Sequence, residues 1–451
     1  MVLTDPKRRK QLMAFGEAYR TIPSTVSPIK YKVRKMANII KKLKRKHKRK
    51  KMQSQRAKLE QEQRAIQQMS PEEAYQNRLR RHKHDALRRT VMSIVAVAAI
   101  ATVVLLYVER RSYHNYRILS ASEQEDVVST KYLEMSGKIL RYSPDGASLV
   151  NSSMDTYWSV LYEMQNPVAD VKDDRAVIAD QDGTLLEMFD KNGETGSVTT
   201  SYNIVKAKIS SSGMVAAILD GGDSTWINFY ASDGSLIAEN QTHISDPGYP
   251  LDVAVADNGN IMMVAYQYVD GSETTSYVAF YNFGDVGQSE DDRIVSGYTY
   301  EGTVIPQIMY LNGGKSLAVR DDGFTLYKGS QIPKEKETVK VDKEIVSTFY
   351  DDDIIGLVFK NGNKEKPYTM RVYSTDGNLK FEKDFNIPYT TIKVSDGNIL
   401  LYNSSQVCVM NSRGVEKYSG TIDGTISDFI KIGWNRYLLV LDSGVDVIKL
   451  S

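Results

Sequence analysis

Between Asp145 and Gly424 the chain is punctuated by Asp-Gly and Asn-Gly pairs, at Asp145-Gly146, Asp182-Gly183, Asn192-Gly193, Asp233-Gly234, Asp322-Gly323, Asn361-Gly362, Asp376-Gly377, Asp396-Gly397 and Asp423-Gly424. Such pairs supply the positive φ that tight hairpin turns need, and the runs between them are short and rich in β-formers. The clearest unit spans 167–203 and reads PVADVKDD, RAVIADQDG, TLLEMFDKNG, ETGSVTTSYN. Similar units begin near Ile204, Tyr249, Val304, Ile345, Tyr389 and Ile426, and another fills 128–164. Four short strands recurring about every 40 residues mark β-propeller blades. The unit from Ile426 has three strands, and Tyr116–Ser122 (YRILSAS) stands alone ahead of the first full unit. We therefore expect an all-β, eight-bladed β-propeller over 112–451, its last blade completed by that lone strand. Closure of this kind removes exposed sheet edges. A seven-bladed ring is the alternative.

Ahead of the repeats, Val91–Val108 reads VMSIVAVAAIATVVLLYV, eighteen residues without a charge, between Arg88-Arg89 and Glu109-Arg110-Arg111. As a helix it would be about 27 Å long, close to the ~30 Å hydrocarbon thickness of a bilayer. The sequence thus predicts one transmembrane helix over 91–108. No small-residue cleavage pattern follows, so the segment is expected to stay as an anchor rather than leave as a signal peptide. Charge sets its orientation. Residues 1–90 carry 27 Lys and Arg against 7 Asp and Glu, a net of +20; the remainder carries 31 against 49, a net of −18. Positive residues flanking a span are retained inside, which puts the basic 1–90 arm in the cytoplasm and the acidic repeats outside.

The arm contains KKLKRKHKRKK over residues 41–51. Residues 1–34 are expected to be flexible, and 35–89 to form one or two solvated helices with no core. The cations Lys41, Lys42, Lys44, Arg45, Lys46, Lys48, Arg49, Lys50 and Lys51 are candidates for binding anionic lipid or an acidic partner, at about 1 kcal/mol per basic residue near a charged membrane. Nucleic acid is the weaker expectation, because no aromatic interleaving and no recognised RNA- or DNA-binding motif accompanies the charge.

Side chains for chemistry are scarce. The lone cysteine, Cys408, excludes an intrachain disulfide and a multi-cysteine metal site. Of five histidines only His243 lies within the blades, which argues against a Ser-His-Asp relay. Asp173-Asp174, Asp180 with Asp182, Asp321-Asp322 and Asp351–Asp353 offer calcium-type oxygens, but turn formation explains them without a metal. Trp158, Trp226 and Trp434 are the only tryptophans, and Trp158 is expected to pack between sheets. The 24 tyrosines beyond the apolar run suit half-buried strands and also an aromatic binding surface.

The stretches Ile139–Gly146 (ILRYSPDG), Tyr162–Val168 (YEMQNPV), Tyr249–Val253 (YPLDV) and Val278–Gly287 (VAFYNFGDVG) carry a family likeness. The outer region resembles PQQ-like, quinoprotein-type and WD40-like propellers, and the whole layout resembles a bacterial family, domain of unknown function 5711. That resemblance implies a single-pass plasma-membrane protein of Gram-positive bacteria with an extracellular propeller and no assigned activity. A working quinoprotein needs tryptophan docking motifs in most blades, and these are missing, so no cofactor is expected. The function expected is that of a noncatalytic binding or scaffold module for envelope proteins or cell-wall polymers. The alternative is an envelope hydrolase or carbohydrate-active enzyme with an acidic central site.

Overall fold

The structure is a computed structural model describing residues 52–54, 56–57, 60, 70–123, 129–243, 247–270 and 273–451. The basic run Lys41–Lys51 lies outside these residues. Two compact units are present, 1–104 and 105–451.

A long helix begins in the first unit. It runs Pro71–Arg110, with its last residues entering the second unit. Its stretch Ala86–Val104 is long and apolar enough to cross a membrane, and none of that stretch is buried. The run of β-branched valines and isoleucines is helical despite their stiffness at χ1, helped by interspersed alanines. Thr90 and Thr102 turn their hydroxyls back onto the carbonyls four residues earlier, at 3.0 and 2.8 Å.

In the second unit eight four-stranded antiparallel sheets follow one another. Blades 1 to 7 occupy 131–161, 167–199, 203–242, 249–301, 307–340, 345–385 and 391–421, each a simple meander whose first strand is innermost. Blade 8 contains Ile426–Gly433, Arg436–Leu441 and Gly444–Leu450, with Tyr116–Glu123 as its outermost strand. The sheet count settles eight blades against seven. Tyr116 pairs with Leu450 and Ser122 with Val445, as expected of the lone strand. Asn115 and Ser451 extend the closure by exchanging backbone hydrogen bonds of 3.1 and 2.8 Å.

Burial explains the order of strands in a blade. Second and third strands are apolar on both faces, as in Arg175–Asp180 and Gln406–Asn411, because each is sandwiched between neighbouring blades. Fourth strands alternate exposed and half-buried positions, as in Thr156–Leu161. The core is accordingly a set of eight hydrophobic clusters, one in each seam. The seam between blades 8 and 1 is filled like the rest, by Ile430, Ile432 and Leu438 against Tyr132, Ile139 and Val150. Trp158 stacks on Phe189 across the seam of blades 1 and 2, with centroids 5.1 Å apart and planes 7° apart, as its expected packing role requires. Glycine is required where a third strand leaves its turn beneath the fourth. Gly323 has φ +141°, and a Cβ there would strike the Val339 carbonyl oxygen. Gly146 repeats this, with φ +155° and the Val160 carbonyl oxygen in the way.

Candidate functional site

Six of the eight innermost strands carry Lys or Asp among their apolar residues, as in Pro167–Lys172 (PVADVK), Asn203–Ile209 (NIVKAKI) and Thr391–Ser395 (TIKVS), whereas Gln307–Leu311 and Ile345–Tyr350 carry neither. Around the central channel these groups pair between blades. Lys208 of blade 3 meets Asp170 of blade 2 at 2.7 Å, and Lys206 meets Asp252 of blade 4 at 3.1 Å. On the other side Lys393 of blade 7 meets Asp428 of blade 8 at 2.5 Å, and Lys431 returns to Asp396 at 2.9 Å. The carboxylates also accept backbone N–H groups from the neighbouring blade: Asp170 from Ile209 at 3.0 Å and Asp252 from Ile308 at 2.8 Å. Half-buried pairs with added hydrogen bonds hold better than exposed ones, so the charges stitch the ring together from inside.

One pair goes across. Lys172, at the end of the innermost strand of blade 2, bonds both oxygens of Asp352 in blade 6, at 2.9 and 3.1 Å, and lies 3.9 Å from Asp257 of blade 4. This divides the channel into two chambers that share Ala169–Lys172 and Met309 as a common wall. Chamber one, about 390 Å³, is lined by blades 2 to 6. Its wall runs from Val168, Val205 and Gln307, at or near the starts of innermost strands, to Ile209, Val255 and Tyr350 at their ends. Chamber two, about 560 Å³, is lined by blades 1, 7 and 8 and by the turn at Asp351-Asp352, and so reaches the face where Tyr116 enters the ring.

The chambers differ electrostatically. In chamber one, Asp170 raises the Lys208 ammonium above its usual range, outweighing the opposing effect of burial. Burial pushes the Tyr350 phenol up to about 12. Chamber two contains Glu134, Asp173, Asp351, Asp352 and Asp396 with Lys172 and Lys393. Burial raises both Glu134 and Asp351 above the ordinary carboxyl range. Gly137 N–H opposes it at Glu134, and the N–H groups of Asp353 and Ile354 do so at Asp351.

The residues singled out from sequence are turn and packing groups. Asp173 and Asp182 hold positive φ, of 53° and 65°, in turns. Asp351 accepts the N–H groups of Asp353 and Ile354, both at 2.8 Å. No group of three or more His, Cys, Asp or Glu is placed to hold a metal among the described residues. His243 follows the outermost strand of blade 3 and forms an isolated bridge with Pro247. Cys408 is buried. Many tyrosines pair inside the seams, such as Tyr266 with Tyr281 at 2.7 Å and Tyr300 with Tyr327 at 2.6 Å. The channel lysines were missed. Their signal is Asp or Lys recurring in the first strand of successive units.

The family model described as Family of unknown function (DUF5711) matches residues 109–450. The chain belongs to this family. No curated protein matches it in sequence. Among solved structures, BamB from Moraxella catarrhalis is similar at 13% identity, over 75% of this chain and 100% of that one, with a TM-score of 0.46. Sqt1 of Chaetomium thermophilum is similar at 10% identity, over 76% and 98%, with a TM-score of 0.48. The WD40 domain of Neurospora crassa Pan2 is similar at 11% identity, over 63% and 88%, with a TM-score of 0.39.

Proposed function

We propose that this protein is a single-pass, membrane-anchored propeller acting as a noncatalytic binding or scaffold module for envelope proteins or cell-wall polymers. The observation that carries the reading is the bare apolar helix leading directly into the ring. Ile94, Val97, Ile100 and Val103 are each 63–66% exposed. Leaving a Val or Ile side chain in water forfeits about 1.5–3 kcal/mol, a cost that lipid removes. Five residues link the helix end to Tyr116, and that end is tied to blade 7: Lys417 donates to the Glu109 carbonyl at 2.6 Å, and Arg413 pairs with the Glu109 carboxylate at 2.5 Å. A ring so tethered works near the surface that holds it.

Orientation follows from charge, with 1–90 in the cytoplasm, 91–108 in the plasma membrane and 112–451 outside. In this reading Lys41–Lys51 contact anionic lipid or an acidic partner. Protease added to intact protoplasts should digest or release the ring and spare the basic arm, whereas loss of the arm with a protected ring overturns the topology. Crosslinking of the full-length protein in cells should capture envelope proteins or wall fragments.

A second reading, an envelope hydrolase, is favoured by one observation: two carboxyls with raised proton affinity, Glu134 and Asp351, face chamber two together. Turnover of wall fragments that Glu134→Gln abolishes would establish it over the first.

A further inference from the structure

Chamber one has the features of a small-molecule site within the channel. Its volume of about 390 Å³ lies at the lower end of the ~300–1,000 Å³ typical of ligand pockets, which suits one or two sugar rings. Its charges are already neutralised. Lys208 is held by Asp170, Lys206 by Asp252 and Lys172 by Asp352, at 2.7, 3.1 and 2.9 Å. A charged ligand would meet no free counter-ion and would lose its own hydration, so net charge disfavours entry.

What the chamber offers instead is spare hydrogen-bonding capacity on fixed groups. The Gln181 amide makes contacts of only 3.4 and 3.5 Å, to Asn166 and the Val205 carbonyl, and the Gln307 amide accepts from Thr348 at 3.4 Å. These sit at the long limit of hydrogen bonding, leaving donors and acceptors open. The Tyr310 hydroxyl is buried, the residue being 6% exposed, and it makes no hydrogen bond within the described residues. A buried polar atom without a partner calls for an explanation, and a water or ligand hydroxyl supplies one. Between the polar groups lie Val168, Val171, Val205 and Ile209, with the Tyr350 ring beside them. Apolar patches interleaved with amides and balanced ion pairs match a molecule with C–H faces and neutral hydroxyl or acetamido edges.

We propose that chamber one binds a neutral saccharide of one or two rings, with Gln181 and Gln307 hydrogen-bonding its hydroxyl or acetamido groups and Tyr350 covering a ring face. This deepens the binding-module reading and rests on it.

The test uses full-length protein in nanodiscs, titrated calorimetrically with N,N′-diacetylchitobiose and cellobiose as neutral probes, and with a lysine-rich peptide and inorganic phosphate as charged ones. The expected result is saturable binding of a neutral disaccharide. Gln307→Leu and Gln181→Leu should each weaken it roughly tenfold, as loss of one hydrogen bond to a ligand does. Glu134→Gln in chamber two should leave it unchanged. Gln307 is exposed, so its replacement tests the site without threatening the fold. Absence of saturable disaccharide binding up to millimolar concentrations overturns the proposal, as does binding that Glu134→Gln removes and Gln307→Leu spares. Exclusive binding of either charged probe overturns it as well. If crosslinking still captures envelope proteins while disaccharides do not bind, the module reading stands and this site falls. Hydrolysis of the disaccharide would instead overturn the module reading.

Discussion

Lys172 reaches across the ring to Asp352, its Nζ 2.9 Å from one carboxylate oxygen and 3.1 Å from the other, and so joins blade 2 to the diametrically opposite blade 6. Both side chains are partly covered, 19% and 31% exposed, so their attraction is only partly screened by solvent. Lys172→Ala and Asp352→Ala should each lower stability by about 1 kcal/mol, and the double variant by clearly less than the sum. Urea unfolding of the four proteins at low salt checks this. Strict additivity would mean that the bridge carries no energy.

Blade 8 depends on a strand drawn from the other end of the fold. Replacing 116–122 with a Gly/Ser stretch should bare the Gly444–Leu450 edge and remove the Tyr116–Tyr418 contact, whose centroids lie 6.3 Å apart. The melting temperature should fall by several degrees. An unchanged value would show that the ring closes without the clasp.

At Gly323, Gly323→Ala should cost about 1–3 kcal/mol, from the positive φ and the collision with the Val339 carbonyl. Gly137 has φ +77°, and a Cβ there would meet nothing within 4 Å. Gly137→Asn should therefore cost well under ~1 kcal/mol, since Asn tolerates that backbone. Chemical denaturation separates the two.

Glu134 gives a pH signature. Burial raises its carboxyl in the folded state, so the folded protein binds the proton more tightly than the unfolded chain does. The penalty for ionising it is absent below the unfolded value of about 4.3, grows as pH rises through the folded value, and is fully present at neutral pH. Glu134→Gln keeps an oxygen for the Gly137 N–H, which Glu134 Oε1 accepts at 2.5 Å. The variant should be more stable than the parent at pH 7 and indistinguishable from it near pH 4. Thermal scans across that range decide it, and an equal difference at both pH values would remove Glu134 as the cause.

Blade boundaries were legible because Asp-Gly and Asn-Gly turns are local chemistry, and the clasp was legible because the unit from Ile426 is one strand short. The channel was not. Which residues of an innermost strand face the axis depends on bulges, between Ile204 and Lys206, Pro250 and Asp252, Ile345 and Ser347, and Ile426 and Asp428. A bulge shifts the two-residue alternation by one, so residues beyond it change faces. Lys172 and Asp352, 180 positions apart, become neighbours only when the ring closes. The helix of 71–110 exceeds the apolar run of 91–108 because the Glu, Gln, Arg and Ala before it are good helix formers and continue the same turns.

The strand Tyr116–Glu123, behind the Glu109 contacts with blade 7, is also a place where mechanical load on the ring enters. A pull on the helix end, directed away from the face where Tyr116 enters, acts along this strand and sets it sliding past Gly444–Leu450. All the pairings from Tyr116–Leu450 to Glu123–Gly444 then share the load, whereas a pull perpendicular to the strand would peel them apart one at a time. Along its own axis this strand is therefore loaded in shear, the direction in which a hydrogen-bonded strand pair is strongest.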